Sequence, residues 1–292
     1  MIDIHAAQFR ISSSTKLYDV PTRLNLNVSE NKIVSRLNKL RTKLSAMQEL
    51  LYAHRRYSVL ICIQGMDTAG KDSLIREVFK DFNPRGIVVN SFKSPTAIEL
   101  AHDFLWRHYL VLPERGVFGI FNRSHYENVL IARVHPEIVL KERIPGINNP
   151  ADITPDFWKK RFKQIKNFEK HLTQNGTLVL KFFLHISKDE QRNRILRRLE
   201  NPQHHWKFEP ADINEREYWE QYQHYYAEAL QVTSTKKCPW FVIPADHKET
   251  ARLLVAHIIL EQLLQLQNVT PQKMAPSVEE KIDFYHQSLL DE

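Results

Sequence analysis

Cysteine is nearly absent, with Cys62 and Cys238 the only two in 292 residues. That scarcity excludes a disulfide-stapled scaffold and a thiolate metal cage. Glycine is scarce as well, at seven residues, which excludes a glycine-rich linker architecture. No apolar run approaches the roughly 20 residues of a membrane span, and Met1 to Arg10 carries no apolar signal-peptide core. The expectation is a cytosolic chain with no membrane partner. There are 14 histidines, yet none pairs with another at metal-ligand spacing beside a third ligand, and His204 and His205 are merely adjacent. His102, His108, His125 and His135 read as surface or satisfied core residues. Neither a Ser-His-Asp order nor a nucleophilic-cysteine context is present. What is there is a globular composition, 42% hydrophobic and 26% charged, long enough to bury the core of one large α/β domain. Lys plus Arg outnumber Asp plus Glu by 41 to 34 and the pI is near 9.3, which favours a polyanionic partner: nucleic acid, an anionic membrane or a phosphate polymer.

Two of the few glycines fall in one stretch, Gln64-Gly65-Met66-Asp67-Thr68-Ala69-Gly70-Lys71-Asp72-Ser73, directly after the apolar run Ser58 to Ile63. A β-branched run that breaks into a glycine-bounded loop and restarts with helical spacing at Leu74, Ile75, Val78 and Phe79 is the layout of a phosphate-binding loop. Gly65 and Gly70 let the backbone turn its N–H groups inward, and Lys71 adds a positive charge at the helix start. Asp72 stands where a Ser or Thr would ligate magnesium, with Ser73 next to it. Asp67 lies within the loop, where bound phosphates would repel a carboxylate unless a divalent cation separates them, so the stretch predicts magnesium (Mg2+) at Asp67.

Strands are predicted at 86–90, 116–121, 177–184 and 240–244. Helices are expected at 31–54, 96–112, 155–176, 187–199, 215–232 and 248–267, with a Ser187/Glu190 capping box. This alternation predicts an α/β fold with a parallel sheet, whose central strands include 59–63, 117–121 and 178–184, and chemistry at their carboxyl ends. Residues 1–30 read as an irregular arm with Ser12-Ser13-Ser14 and Pro21 as breakers, 31–268 as the domain, 136–153 as a surface excursion, 188–214 as a lid candidate, and 269–292 as an uninformative tail.

The third strand runs into Asn122-Arg123-Ser124-His125-Tyr126-Glu127. Where a phosphate-loop kinase usually carries a magnesium-holding Asp, Asn122 is neutral, so Asp67 and Glu127 are the candidate carboxylates. For Glu127 a solvated helix residue is the alternative. Arg123 offers a planar fork to phosphate oxygens. In the lid candidate Arg194, Arg197 and Arg198 share a helical face near Arg192, either as a solvated basic face or as charges that neutralise a transferred phosphoryl group. Lys207 lies between Trp206 and Phe208, an interleaving that also suits base stacking.

GMDTAGKDS at 65–73, FNRSHYENVL at 121–130, LKFFLHISKDEQRNR at 180–194, NPQHHWKF at 201–208 and PWFVIPADHK at 239–248 together resemble the second family of polyphosphate kinases, and more narrowly its class III. The resemblance covers roughly residues 40–265. It implies a P-loop kinase fold of the thymidylate-kinase-like type with a helical lid, and a magnesium-dependent enzyme acting on inorganic polyphosphate and nucleoside mono- and diphosphates. Asp67 and Lys71 would be the loop's acidic and basic residues, and Arg123 and Arg133 phosphate ligands. Asn122 with Glu127, in place of the Asp and Asn of class I, is what points to class III, whose members accept monophosphates. Two rival readings are an ATP-dependent small-molecule kinase of the same fold and a non-catalytic nucleic-acid-binding module. Nucleic acid is the less favoured partner, and a homo-oligomer stays open.

Overall fold

The computed structural model describes residues 4–12, 14–270 and 275–292 and leaves the His204 side chain undescribed; Met1 and Ser13, named above, and residues 271–274 of the tail lie outside it. The sheet is built from β1 (Ser58–Gly65), β2 (Ile87–Ser91), β3 (Phe118–Asn122), β4 (Thr177–His185) and β5 (Trp240–Pro244). Its order is β2-β3-β1-β4-β5, parallel throughout. Every residue of β1 is buried. Val59, Ile61 and Ile63 enter one core and Leu60 and Cys62 the other, which is why the run is continuously apolar rather than alternating. Burying each such side chain stabilises the fold by about 1.5–3 kcal/mol. The edge strand β2 keeps Val88 and Val89 about half exposed, at 49% and 48%.

The principal helices are α1 (Glu30–His54), α2 (Lys71–Val78), α3 (Pro155–Gln174), α4 (Lys188–Glu200), α5 (Trp219–Thr233), α6 (Lys248–Leu263) and α7 (Ile282–Leu290). Register fixes the site. Ile63 pairs with Asn122 on β3 and Gly65 with Leu184 on β4, so the loop leaving β1 opens between the ends of its two neighbours.

Several expectations are corrected. The helix expected over 96–112 is two short turns, Ala97–Leu100 and Trp106–Tyr109. Between them the Asp103 carboxylate accepts from the Leu105 N–H at 2.9 Å, a side-chain bond that competes with the helical one. The capping box at Ser187 is half formed: its hydroxyl accepts from Glu190 N–H, but the Glu190 carboxylate goes to Arg194 and Arg197. The predicted helix 215–232 opens as a 3-10 turn, Glu215–Tyr218, before α5. The stretch 136–153 does lie at the surface, with Val139 its one buried residue, and is anchored where Arg161 of α3 pairs with Glu142. The amino-terminal arm is packed too: Ile11 N–H donates to the Trp240 carbonyl, Ala6 N–H to Glu261, and Ile4, Ala6, Ile11 and Leu17 are buried. The tail contains α7, exposed along its length.

Candidate active site

The loop from β1 to α2 closes tightly. Gly70 (φ +101°) is the residue before α2, in a conformation side chains rarely adopt. A Cβ at Gly65 would lie 3.0 Å from the Ala69 Cβ and the Leu184 carbonyl. Lys71 is buried, and its Nζ donates to the carbonyls of Gly65 (2.7 Å) and Met66 (3.2 Å). Burial pushes its ammonium down to about 8, with Arg123 adding to the shift and Asp67, Glu127 and Asp72 opposing it. Ser73 is turned back onto the Gly70 carbonyl at 3.0 Å.

At the mouth of this loop stand two carboxylates and one guanidinium. Arg123 Nη2 lies 2.6 Å from Asp67 Oδ1 and its Nη1 3.5 Å from Glu127 Oε2. The Glu127 side chain is 13% exposed, which rules out the solvated alternative. Glu127 first, then Asp67, hold the Arg123 guanidinium above its ordinary value against the effect of burial. Burial alone would raise the Asp67 carboxyl, but Lys71 and Arg123 outweigh it and hold the group below the usual carboxylate range. Arg123 adopts a left-handed backbone (φ +59°) at the end of β3, its N–H bonded to the Ile63 carbonyl. For a residue with a side chain that costs about 1–3 kcal/mol.

Asn122 donates through Nδ2 to Asp72 Oδ1 (2.6 Å) and Ser91 Oγ (3.2 Å), while its buried Oδ1 has no partner. The oxygen groups near the loop are thus Asp67, Glu127, Asp72 and this orphaned amide oxygen. Among the described residues no three His, Cys, Asp or Glu side chains form a ready metal cage.

The lid arginines separate. Arg194 is 5% exposed and donates to the carbonyls of Thr68, Ala69, Ala245 and Asp246, besides pairing with Glu190. It clamps the outside of the loop and has no side-chain donor left to face phosphate, contrary to the shared face that helical spacing implied. Arg197 is 58% exposed and bonded to Glu190 and the Asn193 carbonyl. Arg198 pairs with Asp212 at 3.0 Å and is close enough to lower Asp67 electrostatically. Lys207 lies over the exposed Trp206 ring, at 4.9 Å.

Residues 27–271 match the family described as polyphosphate kinase 2 (PPK2). The chain belongs to that family. It is 46% identical over 272 residues to an ADP-polyphosphate phosphotransferase of Rhodopseudomonas palustris, covering 92% of this chain and 93% of the relative. It is equally 46% identical, over 233 residues, to an AMP/ADP-polyphosphate phosphotransferase of Meiothermus ruber, covering 80% and 82% of the two chains. The crystal structure of polyphosphate kinase 2 from Arthrobacter aurescens superposes with a TM-score of 0.87 at 33% identity, over 98% of each chain. Membership makes this a phosphotransferase with a P-loop kinase-like fold, of a family that usually needs a divalent metal.

Arg133, expected as a phosphate ligand, is engaged here by protein groups. Its guanidinium lies 4.2 Å from the Tyr225 ring centre, 5.3 Å from Trp158 and 5.9 Å from Phe162, and it donates to Glu228 at 2.6 Å. These contacts occupy it in an aromatic box rather than at the loop. Sequence reading missed other groups. Gln191 of α4 donates to the Asp67 carbonyl, and Tyr226 of α5 is buried where Glu127, Arg123 and Asp67 act on it. Nothing in the α5 sequence marks Tyr226 apart from its neighbouring aromatics, so only the packing finds it. A cavity of about 730 Å³ between the amino-terminal arm and α5 shares no lining residue with the loop. No helix among the described residues is long and apolar enough to cross a membrane.

Proposed function

We propose that the protein transfers the terminal phosphoryl group of inorganic polyphosphate to AMP and ADP, giving the di- and triphosphate, with magnesium. The observation that carries this reading is the Asp67–Arg123–Glu127 cluster at the mouth of the phosphate loop, beside the buried Lys71. The two 46% relatives differ in name, ADP for one and AMP/ADP for the other. Glu127 beside a neutral Asn122 supports the monophosphate as an acceptor, since that pair is the class III pattern.

The donor set fits magnesium, because it is all oxygen and includes an unsatisfied Asn122 Oδ1. Magnesium characteristically takes one or two carboxylates plus substrate phosphates rather than a full protein cage. Asp67, Glu127 and Asn122 would hold it, and it would supply charge neutralisation on the phosphates. Lys71 and Arg123 do the rest. Both are cations poised on backbone carbonyls and carboxylates from which they turn toward an incoming phosphate chain. They lower the repulsion between donor and acceptor and align them for in-line transfer. Arg198, paired to Asp212, adds charge from the lid side. Arg194 and Gln191 bind α4 to the loop, and residues 201–214 are joined to α4 through Arg198, which bonds the Lys207 carbonyl and Asp212. Two buried, unpaired cysteines support a reducing, cytoplasmic setting.

The test is purified protein with Mg2+, long-chain polyphosphate and either AMP or ADP, followed by nucleotide chromatography. ADP and ATP are the expected products. Transfer from ATP alone to a non-nucleotide acceptor, or tight nucleic-acid binding without turnover, would replace this reading.

A further inference from the structure

The residues between Arg123 and Glu127 turn inward, with Ser124, His125 and Tyr126 at 0% exposure. Tyr126 donates its hydroxyl to Glu169 Oε1 at 2.7 Å, and His125 Nε2 approaches the same oxygen at 3.3 Å. Glu169 belongs to α3, and its other oxygen accepts from Lys181 of β4 at 2.7 Å. Lys181 Nζ also donates to the Tyr126 hydroxyl and to the Thr233 carbonyl, both at 2.9 Å. All three ammonium hydrogens are therefore used, and the tyrosine hydroxyl both donates and accepts. Burial alone would raise the Glu169 carboxyl, but Lys181 first and then His125 hold it below its ordinary range.

A buried ion pair is a poor device for stability, since apolar groups of the same volume often do as well or better. A hydrogen-bonded network in a low-dielectric core does fix geometry, and here Glu169, Lys181 and the Tyr126 hydroxyl are all bonded, with His125 Nδ1 the one buried atom of the four residues that lacks a partner. This one ends on two walls of the site. One is the 123–127 turn, whose left-handed Arg123 needs outside support and which is further held by Gln64 Nε2 on Ser124 Oγ at 3.2 Å. The other is α5, gripped at Thr233 and carrying Tyr226 beside Glu127 and Asp67.

We propose that Glu169 and Lys181 are positioning residues for phosphoryl transfer: acting through His125 and Tyr126, they hold the 123–127 turn so that Arg123 and Glu127 face the phosphate loop. The inference rests on the reading of Arg123 and Glu127 as site residues.

Tyr126→Phe keeps the ring and removes one donor and one acceptor. The expected result is a kcat lower by about 10- to 100-fold, the usual cost of losing a residue that orients a ligating group, with KM for polyphosphate and nucleotide changed by less than about twofold. In an Arg123→Lys background the same substitution should cost almost nothing further, because the two act as a unit. Glu169→Gln should move kcat the same way. A purely structural role predicts something else: lower thermal stability, an unchanged kcat per folded enzyme, and the same factor in both backgrounds. Either of the last two results would overturn the proposal. If Tyr126→Phe does not fold, His125→Asn breaks one bond to Glu169, leaves those of Lys181 intact, and carries the same expectations. Amide exchange of the 123–127 segment gives a readout independent of the substrate assignment. Faster exchange than wild type at equal melting temperature is expected even if polyphosphate is not the donor, and equal exchange would overturn the proposal.

Discussion

Arg123 and Asp67 form a 2.6 Å ion pair across the mouth of the phosphate loop, joining the end of β3 to the loop that leaves β1. The pair occupies the one place where a carboxylate, a guanidinium and the buried Lys71 act on each other directly. On the proposed reading, phosphate entering this place would compete with Asp67 for Arg123, and a divalent metal would compete with Arg123 for Asp67. Both exchanges would replace one charge-assisted contact with another.

Lys71→Ala should leave a folded protein without measurable transfer. In wild type, kcat/KM for polyphosphate should fall as pH rises through about 8, where Lys71 loses its charge in the free enzyme. The effect on stability has the opposite sense. Its folded value lies below the unfolded 10.5, so between about 8 and 10.5 the unfolded chain binds more protons, and stability from this residue rises with pH across that window. Urea unfolding of wild type and variant from pH 7 to 10.5 checks it: the difference should shift in favour of wild type with rising pH.

The lid arginines should give different phenotypes. Arg194→Ala leaves four backbone carbonyls without their donor and should destabilise the protein by about 2–4 kcal/mol as well as slow it. Arg198→Ala should slow turnover by about a hundredfold and flatten its salt dependence at an unchanged melting temperature, because Arg198 acts at Asp67. Arg197→Ala should do neither, as expected of an exposed residue whose bonds stay within α4. Melting curves and initial rates against KCl separate the cases. Equal behaviour of the three would restore the uniform phosphate-facing helix.

Arg133→Lys should cost stability rather than polyphosphate affinity, since a compact ammonium loses the stacking on Tyr225 and Trp158. A loss of about 1–2 kcal/mol with KM nearly unchanged is expected. A tenfold rise in KM at constant melting temperature would instead make Arg133 a phosphate ligand.

Glu127→Asn should lose AMP phosphorylation more than ADP phosphorylation. Glu127 is held by Arg123 at the mouth of the loop; on the proposed reading it helps place the acceptor there, and ADP brings one more phosphate with which to find its place. Paired initial rates with the same polyphosphate give the ratio. An unchanged ratio removes Glu127 from acceptor choice.

The sequence alone determined the sheet and the loop. The buried strands are continuous apolar runs because both faces are covered, and glycine spacing with Lys71 marks a phosphate cradle, so both features are written locally. Asp67, Arg123 and Glu127 stand out in the sequence as charged groups inside the loop and just past a strand end, and the β1–β3 register is what brings them together. The parts of the cations were decided only by tertiary structure. Arg194 and Arg197 have the same chemistry on the same helix, and what separates them is that Arg194 meets the carbonyls of Thr68 and Ala69, more than 100 positions away in the chain. Arg133 likewise depends on three rings from α3 and α5 that no local pattern brings to it. An arginine has an apolar stem and five donors, so its spacing fixes which way it leaves a helix; what it meets there is set by the packing of distant elements.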